Sequence, residues 1–276
     1  MLDARGRKFL FSVDLEDIRS RIPGGMQKPS RVVVNTERFL RFLQARGAYC
    51  TFFVVGELAE QEPELVRLLI DQGHEIAGHS HSHASLQELG PDNFRRDLER
   101  NLTSLERIGV PRVSGYRAPR FSLTRATSWA YGIMEEFGLT YSSSVLPAPN
   151  PISGWPGFGQ KPRRMGTIWE IPISLTDIPG FRVPHTGGVY FRVLPEFLIR
   201  FFFHRSMNSQ GFVTSYFHPY DVDHEEERVE VPELNGNKLH NWLFYYNRAG
   251  LISRLERLAG PKERVTTYRS FIQELT

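Results

Sequence analysis

Two histidines four residues apart, His79 and His83, are the side chains best suited to bind a metal ion. At this spacing both imidazoles lie on one side of a turn or helix and can hold one ion. His81, between them, should point elsewhere and is predicted to be a polar loop residue. An open catalytic metal site has three protein ligands and leaves a position for water or substrate. A third ligand is therefore required.

An acidic cluster after the apolar run Phe9–Val13 offers that ligand through Asp14, Glu16 or Asp17. One carboxylate should bind the metal, and another should take the proton of the attacking water. Strand alternation puts Asp14 and Glu16 on one face, while Asp17 enters the following loop. The structural alternative for these carboxylates is a helix cap or a solvated turn.

An arginine and a histidine complete the candidate chemistry. Arg117 follows a predicted strand and can hold a carboxylate ionised and oriented. His218 ends another predicted strand and is a candidate general acid, with Asp221 or Asp223 orienting it. A surface arginine and a structural histidine are the alternatives. Together the groups indicate a metal-dependent hydrolase.

Short apolar strands alternate with amphipathic helices along the chain, and each candidate group follows a strand. The predicted strands are Lys8–Val13, Cys50–Val55, Glu75–Ala77, Ser114–Arg117 and Phe212–Phe217. The predicted helices are Glu37–Arg46, Glu62–Gln72, Pro91–Ile108, Trp129–Phe137 and Leu239–Leu258. This order favours an α/β fold with parallel strands and helices outside. Barrels of this kind carry their chemistry at the carboxyl ends of the strands.

Residues 1–276 are predicted to form a single catalytic domain. Prolines and glycines between 147 and 195 predict a long irregular insertion, and a helical segment is expected around 237–276. The one cysteine, Cys50, excludes an intrachain disulfide. No apolar run approaches the roughly 18 residues of a membrane span, and no signal-peptide core begins the chain, so we expect a cytoplasmic protein.

The composition is ordinary for a globular protein, with 40% hydrophobic and 24% charged residues. The net charge is +3 and the pI about 9.0, with charges dispersed along the sequence. We find no nucleic-acid-binding motif. The composition therefore gives no reason to expect a nucleic-acid partner, and the oligomeric state is not readable from it.

The acidic cluster, the two histidines, Arg117 and His218 follow one another along the chain in an order that resembles the polysaccharide deacetylase family. This family is also called the NodB-homology or carbohydrate esterase family four fold. The resemblance runs from about Phe9 to His218. Three segments resemble family motifs: the second strand Cys50–Gly56, the metal motif Gly73–His83 and the arginine motif Gly115–Pro119. Gly187–Arg192 and the helix Asn241–Leu258 resemble the branch associated with bacterial exopolysaccharide and lipopolysaccharide (O-antigen) biosynthesis.

The resemblance implies a distorted (β/α) barrel with fewer than eight strands and a divalent metal, usually zinc. It also implies removal of an acetyl group, most commonly N-acetyl, from a sugar. The substrate would be an acetylated sugar, a nucleotide sugar or a lipid-linked glycan of a surface polysaccharide or its precursor. The alternatives are a metal-independent amidohydrolase on the same fold and a non-catalytic glycan-binding protein.

By the same resemblance, each candidate residue receives a role. Asp14 is the catalytic base, Arg117 orients it, and His218 is the acid. His79 and His83 bind the metal with Asp17, because aspartate is the usual third ligand, and Glu16 is the alternative. The predicted substrate contacts are Tyr116, Pro119 and Tyr190.

The chain departs from the family pattern at two places. The first motif reads Asp-Leu-Glu-Asp from Asp14 to Asp17, where two adjacent aspartates are commonest. The fourth motif often has an aspartate near a tryptophan, whereas Tyr141–Ser144 has none. Asp221 or Asp223 is expected to tune His218 instead.

Overall fold

The computed structural model describes residues 6–150, 153–178, 181–231, 236–258 and 264–276. Within these ranges the strands are β1 (Lys8–Leu10), β2 (Ser12–Leu15), β3 (Thr51–Val54), β4 (Glu75–Gly78), β5 (Gly115–Tyr116), β6 (Tyr141–Ser142), β7 (Arg163–Met165), β8 (Ile168–Glu170), β9 (Leu175–Ile178), β10 (Phe181–Pro184), β11 (Phe212–Thr214) and β12 (Arg264–Thr266).

The α-helices of the same ranges are α1 (Val32–Gln44), α2 (Gly56–Gln61), α3 (Pro63–Asp71), α4 (Leu86–Ile108), α5 (Ala130–Glu136), α6 (Gly188–Val193), α7 (Glu196–Gln210), α8 (Lys238–Tyr245), α9 (Leu251–Leu258) and α10 (Tyr268–Gln273). Short 3₁₀ helices cover Ile18–Arg21, Gly25–Gln27, Pro119–Phe121 and Pro219–Val222.

The central sheet has seven strands in the order β2-β3-β4-β5-β6-β8-β7. All pairs from β2 to β8 are parallel, and β7 is antiparallel at the edge. Every residue of β2, β3 and β4 is buried, as expected when helices cover one face of a parallel sheet and a packed interior covers the other. The predicted α/β class is confirmed.

The central sheet and a smaller sheet, β11-β1-β12, are the two parts of the distorted barrel. The smaller sheet joins the central sheet because β1 and β2 are consecutive segments, and because Phe217 beyond β11 pairs with Val13 in β2. On the far side, the Ser174 N–H donates to Thr214 Oγ1 at 2.8 Å. Among the residues that the structure describes, the segment after β8 is thus joined to β11 by hydrogen bonds to side chains and not by strand pairing.

Aromatic packing behind the sheet fixes the strands that carry the candidate site. The Phe11 ring stacks on Phe217 with 5.4 Å between centroids, and it also contacts Phe39 and Phe42 of α1. These rings tie β2 and the segment after β11 to one helix. Asp14 and His218, next along these segments, are therefore held beside each other.

Two predicted segments differ from the structure. The stretch 147–195, predicted as an irregular insertion, contains β7 to β10 and α6, and β8 belongs to the central sheet. Its strands have only three or four residues, which is too short to show an alternation of apolar and polar side chains, and they lie among prolines and glycines. The predicted helix Leu239–Leu258 is broken into α8 and α9, and β12 and α10 follow.

The part of the chain that the structure describes contains no helix with the length and apolarity required to span a bilayer.

Candidate metal and catalytic site

Three side chains at the carboxyl ends of β2 and β4 converge as a ligand group: Glu16, His79 and His83. Their ligand atoms all lie within 4.8 Å of one another. Glu16 Oε2 is buried without a hydrogen-bond partner, yet it lies 2.5 Å from His83 Nε2. A carboxylate oxygen and an imidazole nitrogen turned toward one point suit a cation between them. The group therefore fits a divalent metal.

The orientation of His79 supports the same assignment. Its Nδ1 is 2.7 Å from the Arg117 carbonyl oxygen, so Nδ1 must donate and Nε2 keeps its lone pair for a metal. Burial lowers the pKa of His79 to about 4. The ring is therefore neutral near pH 7, as a ligand must be.

Asp17, predicted as the third ligand, lies outside this group, and the predicted alternative Glu16 lies inside it. The Asp17 side chain caps the 3₁₀ helix Ile18–Arg21 by accepting the Arg19 N–H at 2.9 Å. It also accepts from the Arg19 guanidinium at 2.8 Å. Strand alternation sends Glu16 to the face of Asp14, so the geometry follows the pleat rather than the commonest family pattern.

Glu16 is held as a carboxylate by its neighbours. Tyr220 donates its hydroxyl to Glu16 Oε1 at 2.9 Å, and Arg21 lies 3.2 Å from the same oxygen. Burial by itself would raise the pKa of Glu16, but the charges of His83 and Arg21 outweigh it and hold the pKa well below its usual value. Arg21 and Tyr220 received no role from the sequence.

The two histidines lie on a loop between β4 and α4 rather than on a helix. His79 follows β4 directly, and His83 adopts a left-handed backbone with φ 57°. Asp97 of α4 clamps this loop by accepting the N–H groups of His81 and Ser82 at 2.8 and 3.0 Å. Sequence reasoning missed Asp97, although a buried carboxylate among the apolar positions of an amphipathic helix is a usable signal.

Asp14 and Arg117 form the second part of the site. Arg117 Nη1 donates to Asp14 Oδ1 at 2.5 Å, and both side chains are buried. The arginine also contacts the metal group, because its carbonyl accepts from His79. The structure thus brings the predicted base and its predicted orienting residue together.

His218 faces these groups from the segment after β11. Its Nε2 lies 4.0 Å from Asp14 Oδ2 and 3.7 Å from Glu16 Oε1. On the other side its Nδ1 is 2.9 Å from Asp221 Oδ2. Burial lowers the pKa of His218, but the hydrogen bond and charge of Asp221 outweigh burial, and the pKa is raised overall. The ring is therefore suited to carry a proton.

The structure separates the two aspartates considered as partners of His218. Asp221 bonds to it and is itself held by Arg192, whose Nη2 is 3.1 Å from Asp221 Oδ1. Asp223 instead accepts from Arg31 at 2.6 Å and from Asn35 at 2.7 Å. Arg192, fully buried, had no predicted role, although a lone arginine in an apolar helix is a signal of a buried ion pair.

These groups line a cavity of about 210 Å³. Its walls are Asp14, Glu16, Arg21, His79, His83, Ala118, Arg120, Phe121, Tyr216, His218 and Tyr220. Pockets that hold a whole drug-sized ligand have volumes of about 300 Å³ or more. The cavity is therefore sized for a substituent of a larger molecule.

The three predicted substrate contacts lie elsewhere. The Tyr116 side chain is fully buried and packs on Phe94 at 5.5 Å, because its position in β5 points toward α4. The predicted contact, which the family resemblance assigns to a backbone N–H near Tyr116, stays a prediction. Pro119 is buried and does not belong to the cavity wall. Tyr190 is 49% exposed on α6 and also outside that wall, and its contact with substrate stays a prediction.

Two family models match consecutive parts of the chain. Residues 28–142 match the model described as polysaccharide deacetylase. Residues 143–271 match a domain of unknown function, DUF3473. Asp14 and Glu16 precede both ranges, whereas His218 lies in the second.

Among curated protein sequences, the chain is 38% identical over 117 residues to a chitooligosaccharide deacetylase of Sinorhizobium fredii, covering 41% of this chain and 47% of that protein. It is 33% identical over 86 residues to a peptidoglycan-N-acetylglucosamine deacetylase of Bacillus cereus, covering 31% of this chain and 29% of that protein. The chain thus spans less than half the length of either relative.

Among solved structures, one described as a polysaccharide deacetylase from Mycobacterium smegmatis superposes with a TM-score of 0.64 at 18% identity. The alignment covers 99% of this chain and 92% of that one. At this identity the likeness establishes the fold.

Proposed function

Because the chain carries a domain of the polysaccharide deacetylase family, we propose that it is a divalent-metal-dependent hydrolase that removes the acetyl group from an N-acetylated sugar. One observation carries the proposal. The ligand group Glu16, His79 and His83 shares a cavity with the Asp14 carboxylate and the His218 imidazole. A ligand set, a base and an acid at one point are the parts that amide hydrolysis requires.

The chain's own residues account for the proton transfers. Asp14, fixed by Arg117, accepts a proton from the water that attacks the acetyl carbon. His218 donates its Nε2 proton to the departing amine nitrogen, while Asp221 bonds to Nδ1 and keeps the ring oriented. The amide and water become acetate and a free amino sugar.

Glu16, His79 and His83 are the residues that would hold the metal. A bound divalent ion would polarise the acetyl carbonyl and lower the pKa of a water molecule. Two imidazoles and one carboxylate are a ligand set typical of catalytic zinc, so zinc is the ion we propose.

The relatives support an N-acetylated sugar as the substrate class. Their names specify chitooligosaccharide and peptidoglycan N-acetylglucosamine, and both contain acetamido groups on hexoses. The cavity of about 210 Å³ suits such a group while the rest of the glycan lies outside. We propose a bacterial surface polysaccharide or its nucleotide-linked or lipid-linked precursor.

Elemental analysis of chelator-free protein, followed by an acetate-release assay on N-acetylated oligosaccharides, tests this function. We expect about one zinc or similar ion per chain and acetate release that stops with a chelator and returns with metal. The variant His79→Ala/His83→Ala should lose both the metal and the activity.

Two results would contradict the proposal in different ways. Acetate release from protein that stays metal-free after resupply would indicate the metal-independent amidohydrolase. Metal and sugar binding without acetate release from any acetylated sugar would indicate a glycan-binding protein.

A further inference from the structure

We propose that Tyr268, at the start of α10, is a positioning residue for the catalytic base. Its hydroxyl fixes the guanidinium of Arg117, and Arg117 fixes Asp14. This inference rests on the proposed function, in which Asp14 takes the proton of the attacking water. It also gives a task to the carboxy-terminal part of the chain, which matches a domain of unknown function.

The guanidinium of Arg117 is fully buried. A guanidinium has five N–H groups, and each is used. Nη1 donates to Ser12 Oγ at 2.9 Å and to Asp14 Oδ1 at 2.5 Å. Nε and Nη2 donate to the carbonyl and hydroxyl of Ser143, both at 3.1 Å. The second Nη2 bond goes to Tyr268 Oη at 2.8 Å.

The groups that accept hydrogen bonds from the forked guanidinium of Arg117 differ in charge. Of its acceptors, only Asp14 is a carboxylate, and Ser12, Ser143 and Tyr268 are neutral groups. Burial raises the pKa of Tyr268, so its phenol stays protonated. The positive charge of Arg117 is therefore directed at one anion, the base, and the neutral acceptors set the orientation of the fork.

Tyr268 is itself held in place by its neighbours. Its ring stacks on Tyr141 with 5.8 Å between centroids and an angle of 14°, and it contacts Phe53 edge-on at 5.4 Å. Its backbone N–H donates to Thr51 Oγ1 at 2.9 Å. The hydroxyl thus has a fixed position inside the barrel, which a positioning group requires.

The strand β12 brings α10 to the site. β12 ends at Thr266 and pairs in parallel with β1, so that Leu10 faces Thr266. Asp14 lies four residues beyond Leu10, and Tyr268 lies two residues beyond Thr266. One strand pair therefore sets the base and its distant support side by side.

The test is Tyr268→Phe, which removes one oxygen atom and keeps the ring. We expect kcat for acetate release to fall about 10- to 100-fold, since a hydrogen bond to a charged group is lost where the base must be aligned. KM should change less than about threefold, and the bound metal should stay at the wild-type level, because neither the cavity wall nor the ligand group changes.

Tyr141→Phe is the matched control. Tyr141 is also fully buried and belongs to the same stack, but its hydroxyl donates to Glu75 at 2.8 Å rather than to Arg117. We expect its kcat within about twofold of wild type, even if the melting temperature falls. A second arm places Tyr268→Phe in an Arg117→Lys background, where the fork is gone and the further loss of kcat should disappear.

The outcomes separate the two proposals. An active wild type with unchanged kcat in Tyr268→Phe would overturn the positioning role and leave the deacetylase intact. An equal loss of kcat in Tyr141→Phe, or a full further loss in the Arg117→Lys background, would overturn it as well. A wild type that releases no acetate would overturn the proposed function and this inference with it.

Discussion

Glu16 and Asp17 are neighbouring carboxylates with different tasks. The first turns into the barrel beside His83, and the second turns back to cap the next helix. Successive side chains on a strand point to opposite faces, so this division follows from the strand that ends at Leu15. Their separation gives a direct test of the ligand assignment.

We expect Glu16→Gln to weaken metal binding by more than about 100-fold, beyond the usual effect of residues that only support a ligand. Asp17→Asn is the matched control and should keep the metal, at a stability cost of about 1 kcal/mol for a weakened cap. Competition with a chromogenic chelator measures both. Metal loss in Asp17→Asn with retention in Glu16→Gln would reverse the assignment.

A second prediction at this scale concerns pH. In the proposed mechanism the reaction requires protonated His218, so the rate should be lost as pH rises through the His218 pKa. Asp221 raises that pKa, and Asp221→Asn should therefore move the alkaline limb of kcat/KM to lower pH. Asp223→Asn, whose carboxylate bonds to Arg31 and Asn35, should leave the limb in place. An alkaline limb that moves only in Asp223→Asn would show that Asp223, and not Asp221, tunes His218.

At the scale of elements, the loop between β4 and α4 carries backbone strain next to the metal ligands. Ser80 and His83 have left-handed backbones with φ 64° and 57°, which costs on the order of 1 kcal/mol or more for each residue that is not glycine. Asp97 offsets this cost by binding two N–H groups of the loop. The helix α4 thus sets the direction of a metal ligand that it does not carry.

Asp97→Ala should therefore weaken metal binding by about 10- to 100-fold, as removal of a residue supporting a ligand does. It should also lower stability by about 1–3 kcal/mol, because buried N–H groups lose their acceptor. Glu99→Ala, an exposed carboxylate on the same helix, is the control and should change neither. Unaltered metal affinity in Asp97→Ala, measured by titration, would show that the loop holds its shape without the clamp.

At the scale of the whole molecule, one site is assembled from both ends of the chain. The range that matches the polysaccharide deacetylase model supplies His79, His83 and Arg117. The range that matches DUF3473 supplies His218 and Asp221, and Tyr268 from its last helix. Since β1 lies between β11 and β12, the barrel interior is complete only when the late strands have docked on the first one.

The sequence by itself determined the α/β class and the candidate groups for the proposed chemistry. His79, His83, Asp14, Arg117 and His218 lie at strand ends that local patterns mark, and the parallel arrangement sends those ends to one side of the barrel. The class and the positions at strand ends could be predicted because side-chain direction on a strand and the alternation of strand and helix are local properties.

Only the tertiary structure decided which residues support these groups. The partnership of Asp97 with the histidine loop, of Arg192 with Asp221 and of Tyr268 with Arg117 joins positions 15 or more residues apart, and up to 151 apart. No spacing rule reaches across such distances. Each buried donor must find its acceptor in the folded chain. Which groups meet depends on the three-dimensional packing of strands such as β8 and β12, whose sequences are too short to show an alternation of apolar and polar residues.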